Sequence, residues 1–395
     1  MNARAGFRSS FIPFIVGNAL VLFLLIADFN NSAGGVIQQQ AYWGRDFINV
    51  WTAGKLVLAG RLDLLYDPVL YQGFQQQLFG PLGPHNYSYP PFTLPLMAPF
   101  ALLPYWLALM VWLTGTGWLF VRAAAPWWRE ATGWPAMLVL LTPAATMNIW
   151  AGQYGFLIGA ILLFGWRALE KGRPWLAGFC FGLMAIKPHL ALFVPLILLL
   201  RGEGRAIIAG VLTVTGMVLV SMLLFGVAPW RDFLTITTGA QGAMVNAGAA
   251  FFGKMSTSTA TALFAIGAPK AVALTGQAAI ASLAVAMVVH VARRGQVRDI
   301  ALLAATATFL TLPYAFNYDL TVSAMGATMA MGLVTLSRME RGLATLGFLA
   351  AQLGMVLAML HLPLMPLLLG GLAIVQYRIA RKNSAPVPPS QQAQA

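Results

Sequence analysis

Twelve apolar segments constrain this chain more than any other feature of its sequence. A helix needs about 20 apolar residues to cross the hydrocarbon core of a bilayer, and several of these segments are shorter. Hydrophobic residues nevertheless make up 59% of the chain and charged residues only 9%, whereas a soluble domain carries about 25% charged residues. We therefore predict an all-α polytopic membrane protein, a bundle of about twelve transmembrane helices. The segments lie near 11–27, 104–122, 134–149, 155–169, 174–187, 188–200, 206–226, 271–290, 299–315, 319–336, 342–359 and 363–378.

The basic residues predict the orientation of the bundle. With both termini in the cytoplasm, 17 of the 24 lysines and arginines fall on the cytoplasmic side, as the positive-inside rule requires. The formal net charge is +13, but these residues stand singly or in pairs between apolar segments. This distribution excludes a nucleic-acid-binding protein and suits contact with anionic membrane lipids.

Residues 174–200 decide between two topologies. As a single helix the segment would be about 40 Å long, too long for one untilted span. Reading it as one span also moves most downstream basic residues to the outside. We therefore predict a hairpin with Lys187, Pro188 and His189 at its outer tip, where the proline suits a break in the helix.

Two long non-apolar stretches, residues 28–91 and 227–270, then lie outside the cytoplasm, and the first is the larger. Long irregular loops are where binding and catalytic residues concentrate. No glycine-rich phosphate-binding motif is present, so we expect no nucleotide cofactor. We predict one transmembrane domain over residues 1–382 and a disordered cytoplasmic tail over residues 383–395, which is rich in Pro, Gln, Ser and Ala.

Asp46 is the acidic residue best placed for chemistry, since aromatic residues flank it early in the first external loop. A carboxylate in surroundings of low polarity is suited to act as a general base. Two structural alternatives are a pairing with Arg45 and capping of the next helix. Farther along, the Tyr87-Ser88-Tyr89-Pro90-Pro91 element suits either a position at headgroup level or stacking of aromatic rings on sugars.

Several short motifs, in their order and spacing over residues 40–320, resemble glycosyltransferase family 87. This likeness implies a GT-C-like membrane enzyme that transfers a sugar, commonly mannose, from a polyprenyl-phosphate donor to a lipid or glycan acceptor. Transfer would take place on the extracytoplasmic face of the inner (plasma) membrane. The matching elements after Asp46 are Tyr66-Asp67-Pro68, Tyr89-Pro90-Pro91, Gly152-Gln153-Tyr154-Gly155, Ala185-Ile186-Lys187-Pro188-His189, Pro313-Tyr314 and Tyr318-Asp319-Leu320. This chain has His189 where family members often have Gln.

The resemblance implies that Asp46 is the catalytic base. A departing phosphate calls for cations, and we expect Lys187 to supply the first, because an ionisable residue at membrane depth is functional by default. Asp319 either binds a sugar hydroxyl or caps the helix that begins beside it. The full set expected to bind substrates is Lys187, His189, Asp319, Tyr318, Lys254, Arg45, Tyr89 and Gln153. Histidines and carboxylates do not cluster at metal-ligand spacing, so we predict no metal and no cofactor.

Two other function classes remain open. A transporter or flippase of lipid-linked sugars would show repeated halves with paired broken helices, and the sequence contains no such repeat. A polymerase-like or ligase-like enzyme with a diphosphate-linked donor would favour an arginine-rich external loop. This chain has three arginines outside, Arg45, Arg61 and Arg231.

Overall fold

The computed structural model of the chain describes residues 11–38, 40–237, 251–333 and 336–384. Each of the twelve predicted apolar segments is helical in this structure, although the segment near 134–149 begins as a 3₁₀ helix over 136–141. The helices that correspond to the twelve segments are α1 (Phe11–Asn30), α5 (Tyr105–Thr132), α6 (Pro143–Ala151), α7 (Gly155–Glu170), α8 (Pro174–Leu183), α9 (Phe193–Arg201), α10 (Gly204–Phe225), α14 (Lys270–Ala292), α15 (Val297–Thr311), α16 (Thr321–Leu333), α17 (Arg338–Met359) and α18 (Met365–Ser384).

Five helices in the described part of the chain are long and apolar enough to cross a membrane, namely Ile12–Asn30, Tyr105–Thr132, Gly204–Phe225, Lys270–Ala292 and Arg338–Met359. The chain is therefore an all-α membrane protein, as predicted. The remaining helices of the bundle are shorter or, like the 20-residue α18, less apolar, so the number of twelve spans stays a prediction.

The first long loop is more regular than expected. Three two-residue strands, β1 (Ser32–Ala33), β2 (Val36–Ile37) and β3 (Ala41–Tyr42), form a small antiparallel sheet. Two helices follow, α2 (Phe47–Ala59) and α3 (Pro68–Phe79), and α4 (Leu94–Ala101) lies just after the loop. Helix α2 forms because it is buried on nearly all sides. A Cβ at Gly54 would lie 2.5 Å from the Met97 carbonyl oxygen on α4, so only glycine permits this close packing.

The chain reverses direction after α8 and again after α9. Gly178 and Gly182 on α8 lie against Ala206 and Gly210 on α10, in the same order along both helices. The two helices therefore run parallel and begin at the same end of the bundle, which requires α9 to return between them. The turn falls at Lys187, between 3₁₀ helices over 184–186 and 188–191. The predicted hairpin is present, and the membrane face on which its tip lies remains a prediction.

The two ends of the bundle differ in character. At the end where α7 finishes, ion pairs join Arg298 to Glu130 and Arg378 to Glu340, and Trp127 donates a hydrogen bond to Glu170. These charged residues face the turns that the sequence assigns to the cytoplasm. The opposite end, where α7 begins, carries the motif residues described below.

The described part of the second long loop forms three short helices, α11 (Ala228–Asp232), α12 (Phe251–Met255) and α13 (Thr259–Ala265), with a π-helical turn over 233–237. It packs against the first loop, since the rings of Tyr66 and Phe233 lie 5.7 Å apart. The first two residues of the predicted disordered tail, Asn383 and Ser384, belong to α18 instead. The rest of the tail and residues 238–250 of the second loop lie outside the described residues.

Candidate active site

Asp46 lies directly before α2, in a tight turn. Gly44 and Arg45 both adopt positive φ, at 79° and 41°. The Asp46 backbone N–H donates to the Ala151 carbonyl oxygen at 3.0 Å, but its side chain does not cap α2. Arg45 pairs instead with Asp28 at 2.7 Å. Both structural alternatives for the Asp46 side chain are therefore wrong.

A second turn, at Gly152, holds Gln153 beside Asp46. Gly152 has φ 62°, and a Cβ there would collide with the Gly44 carbonyl oxygen and lie 2.9 Å from the Phe47 side chain. The two turns thus approach each other as closely as backbone allows, which only glycine permits. As a result, Gln153 Nε2 donates to Asp46 Oδ2 at 2.6 Å.

Gln153 joins Asp46 to a buried ion pair. Its Oε1 accepts hydrogen bonds from Lys187 Nζ at 3.2 Å and from the Tyr89 hydroxyl at 3.3 Å. Because donors surround Oε1, the amide must turn Nε2 toward Asp46. Lys187 Nζ also donates to both carboxylate oxygens of Asp319, at 2.9 and 3.0 Å. We call these five residues, Asp46, Tyr89, Gln153, Lys187 and Asp319, the Gln153 cluster.

The Lys187–Asp319 pair is nearly closed to solvent, with side-chain exposures of 8% and 3%. The rings of Tyr318 and Tyr154 lie 5.3 and 5.8 Å from the ammonium group, within range of a cation–π attraction. Such a buried pair needs both partners, because removing one leaves an uncompensated charge. The hairpin tip therefore depends on the loop before α16, which carries Asp319.

The charges of the cluster do not balance. Asp46 and Asp319 oppose a single cation, Lys187, and Asp46 Oδ1 accepts no hydrogen bond from a described residue. Burial raises the pKa of the Tyr89 hydroxyl well above its ordinary value, and the negative charges of Asp46 and Asp319 add to this shift. Tyr89 therefore stays protonated and remains a donor. The cluster offers one unoccupied carboxylate oxygen beside a cation.

The model of glycosyltransferase family 87 matches residues 87–314, more than half of the chain. The chain belongs to glycosyltransferase family 87. It is accordingly a membrane glycosyltransferase, and the resemblance noted in the sequence is correct. No curated protein and no solved structure matches the chain significantly.

The matched region of the glycosyltransferase contains Tyr89, Gln153 and Lys187 but ends before Asp319 and begins after Asp46. The cluster thus combines residues from inside and outside the matched region. Its members come from the first loop, the α6–α7 turn, the hairpin tip and the turn before α16. Residues far apart in the sequence converge at one end of the bundle.

Three predicted site residues lie outside these contacts. Arg45 is held by Asp28 and lies 4.0 Å over the Trp150 ring, so it supports the turn that carries Asp46. His189 is partly buried two residues beyond Lys187, without a hydrogen bond to a described residue. Lys254 lies on α12, two residues before Ser256. Ser256 forms an isolated antiparallel β-bridge with Phe316, in the segment that leads to Asp319. Both residues lie close in sequence to segments that adjoin the cluster, and neither is hydrogen-bonded to it.

Sequence reasoning missed two supporting residues of the glycosyltransferase. Asp28 ends the first apolar segment, and its partner Arg45 is 17 residues away. Trp150 donates a further hydrogen bond to Asp28 at 2.9 Å. Local spacing favours pairing of neighbours, so nothing in the sequence indicated these contacts. Within the described residues, no three His, Cys, Asp or Glu side chains are grouped so that they could hold a metal ion.

Proposed function

We propose that this glycosyltransferase transfers mannose from a polyprenyl-phosphate donor to a lipid or glycan acceptor, with Asp46 as the general base. The observation that carries the proposal is the link through Gln153, which holds a carboxylate with an open oxygen beside a buried lysine. A base for the acceptor and a cation for the leaving group are the two requirements of this reaction.

In the proposed step, Asp46 Oδ1 accepts the proton of the acceptor hydroxyl while that oxygen attacks the anomeric carbon of the sugar. The new glycosidic bond forms as the bond from the anomeric carbon to the phosphate oxygen breaks. The polyprenyl phosphate leaves with that electron pair and needs no proton from an acid. One carboxylate therefore suffices, unlike the two of glycoside hydrolases.

Lys187 would stabilise the charge that develops on the leaving phosphate. A donor phosphate brings one further negative charge to a cluster that already has two carboxylates and one ammonium group. A second cation near the phosphate would offset it, and Lys254 is the proposed source, while His189 is proposed to donate a hydrogen bond to the phosphate from a neutral imidazole. Asp319 then acts mainly by orienting Lys187, while Tyr318 and Tyr89 line the sugar's path and Arg45 supports the Asp46 turn.

The wider setting belongs to the same proposal. A lipid-linked donor suits a site built at one end of a membrane-embedded helical bundle, since the lipid then stays in the bilayer. We propose a GT-C-like bundle of twelve spans in the inner membrane, forming one domain over residues 1–382. Its active site lies on the extracytoplasmic face, in keeping with the distribution of basic residues.

The test is transfer by purified protein from a panel of radiolabelled polyprenyl-phosphate sugars to candidate acceptors. Asp46→Asn keeps the size of the side chain and removes its basicity, so turnover should fall by about 10²–10⁴-fold. Asp63→Asn is a matched control, because Asp63 lies in the same loop and pairs only with the exposed Arg61. An Asp46→Asn protein that folds and transfers sugar at the wild-type rate would refute the assignment of the base.

A further inference from the structure

Asp28 lies in the last turn of α1, which ends at Asn30. The C-terminus of a helix is the negative end of its dipole, so a carboxylate in the last turn is unfavourable for the helix itself. The aspartate is nevertheless buried, with 8% of its surface exposed. Helix stability therefore does not account for an aspartate at this position, and its contacts with other parts of the chain must be considered.

The Asp28 carboxylate binds one side chain from each of the two turns that meet in the Gln153 cluster. Arg45 Nη2 donates to Oδ1 at 2.7 Å and to Oδ2 at 2.8 Å. Trp150 Nε1 donates to the same Oδ2 at 2.9 Å. Arg45 directly precedes Asp46, and Trp150 lies three residues before Gln153. One carboxylate therefore connects the turn of the proposed base with the turn of the amide that binds it.

The contacts around Asp28 form a closed ring. The Arg45 guanidinium lies 4.0 Å from the centre of the Trp150 ring, within range of a cation–π attraction. The Asp46 backbone N–H donates to the Ala151 carbonyl oxygen at 3.0 Å, so backbone joins the same two turns. Arg45 adopts a positive φ of 41°, which is unfavourable for a residue with a Cβ. The ion pair with Asp28 helps to hold this conformation, and the position of Asp46 depends on it.

We propose that Asp28 is a positioning residue that sets the distance between Asp46 Oδ2 and Gln153 Nε2 by binding Arg45 and Trp150 together. This inference rests on the proposed function, because it concerns the base of the same reaction. Asp28 acts through the two turns and not on the substrates. A displacement of about 1 Å at the reacting groups can lower the rate about a hundredfold, so a loosened turn should lower kcat.

The donor side of the cluster should be independent of Asp28. Lys187 is bound by Asp319 and by Gln153, and no hydrogen bond among the described residues joins Asp28 to Lys187 or Asp319. Loss of Asp28 should therefore leave the donor KM within about twofold of the wild-type value while kcat falls. A rearranged donor site would instead raise the donor KM.

Asp28→Asn tests the proposal with a side chain of the same size. Because Arg45 Nη2 contacts both carboxylate oxygens, the new amide nitrogen faces that donor whichever way the amide is turned. We expect kcat to fall by about 10–100-fold. Trp150→Phe is a milder variant, which keeps a ring beside Arg45 and removes only the donor to Asp28. Its kcat should fall by about threefold to tenfold, and it tests the proposal even if Asp28→Asn does not fold.

Asp299→Asn is the matched control. Asp299 is also a buried aspartate beside an arginine, Arg298, and it accepts a hydrogen bond from Asn383 at 2.7 Å. It lies at the end of the bundle opposite the Gln153 cluster. The control should lower the melting temperature of the full-length protein in detergent, and it should change neither kcat nor the donor KM of the folded fraction.

A double-mutant cycle decides whether Asp28 acts through the contact between Gln153 and Asp46. Gln153→Met removes that contact by itself. If Asp28 maintains it, adding Asp28→Asn to Gln153→Met should slow turnover by no more than about threefold, whereas the effects of independent residues would multiply. Effects that multiply would overturn the proposal, and so would wild-type kcat in folded Asp28→Asn and Trp150→Phe.

Hydrogen exchange gives a measurement that needs no turnover. The Asp46 N–H, in peptides that cover residues 42–48, should exchange about tenfold faster in Asp28→Asn and at the wild-type rate in Asp299→Asn. Faster exchange in Asp28→Asn, together with normal transfer by Asp46→Asn, supports the hold of Asp28 on the two turns and overturns Asp46 as the base. Unchanged exchange with wild-type kcat in Asp28→Asn overturns the positioning proposal and leaves the proposed function intact.

Discussion

Gln153 is the residue whose replacement tests the geometry of the proposed site most directly. In Gln153→Glu the side chain keeps its shape, but the group that donates to Asp46 Oδ2 at 2.6 Å becomes a carboxylate oxygen. At an effective dielectric constant of about 20, two charges at this distance repel by roughly 6 kcal/mol. The pair will therefore retain a proton between them at neutral pH, and Asp46 will no longer be a free base.

The expected result follows from the loss of the base. Turnover of Gln153→Glu should fall by about 10²–10⁴-fold, the usual contribution of a general base. The new carboxylate also lies near Lys187, whose ammonium group is 3.2 Å from Gln153 Oε1. It would compete with a donor phosphate for that cation, so the donor KM should rise as well.

The assay is steady-state transfer of radiolabelled sugar by detergent-purified protein, with donor and acceptor varied separately. Gln77→Glu introduces the same charge at an exposed position of the same loop and should change neither constant. Gln153→Met breaks the link without adding charge, and it should lower turnover less than Gln153→Glu does. A Gln153→Glu enzyme within about threefold of wild-type activity would mean that the contact with Asp46 has no part in catalysis.

Three further predictions concern the surroundings of the cluster. Lys187→Ala should destabilise the protein by about 3–5 kcal/mol because it leaves Asp319 buried and unpaired. Adding Asp319→Ala should restore the melting temperature but not donor binding, whereas Lys187→Arg should keep part of that binding. Gly152→Ala should cost roughly 1–3 kcal/mol of stability and reduce turnover, because it displaces the turn that carries Asp46. Gly202 is the control, since it has a similar φ of 71° but no neighbouring atom near its Cβ position, so Gly202→Ala should lower stability without changing turnover. A cysteine at Gly204, in a background without the native cysteine, should react with an impermeant reagent only from the cytoplasmic side, and labelling from outside would contradict the predicted topology.

The bundle could be predicted from the sequence because membrane helices are encoded locally. Each apolar segment became a helix, since a backbone in lipid must satisfy its hydrogen bonds within the segment. The first loop was harder to interpret, because α2 is buried by contacts with α4 that lie about 45 residues away in sequence. Its apolar residues, such as Phe47 and Leu56, did not stand out as a span.

The site could be predicted only in part. The family resemblance brought Asp46, Gln153, Lys187 and Asp319 together as candidates, and the structure joins them by hydrogen bonds. Spacing alone could not have done so, because Gln153 and Asp46 are 107 residues apart. The same limit explains why the alternative of an Arg45–Asp46 pair is wrong, because Arg45 pairs with Asp28, which is 17 residues away.

The hairpin offers a physical reason for a lipid-linked donor. Helix α8 has ten residues, and the 3₁₀ turn after it has three, so together they rise about 21 Å. The hydrocarbon core is about 30 Å thick, and the Lys187 ammonium group is bound to Gln153, just before α7 begins at the opposite end of the bundle. If α8 starts at the cytoplasmic surface, the Lys187 ammonium group lies close to the level at which the phosphate of a polyprenyl lipid resides on the other side. A lipid donor could then meet its cation without leaving the membrane, whereas a soluble nucleotide sugar would have to enter the bundle to reach it.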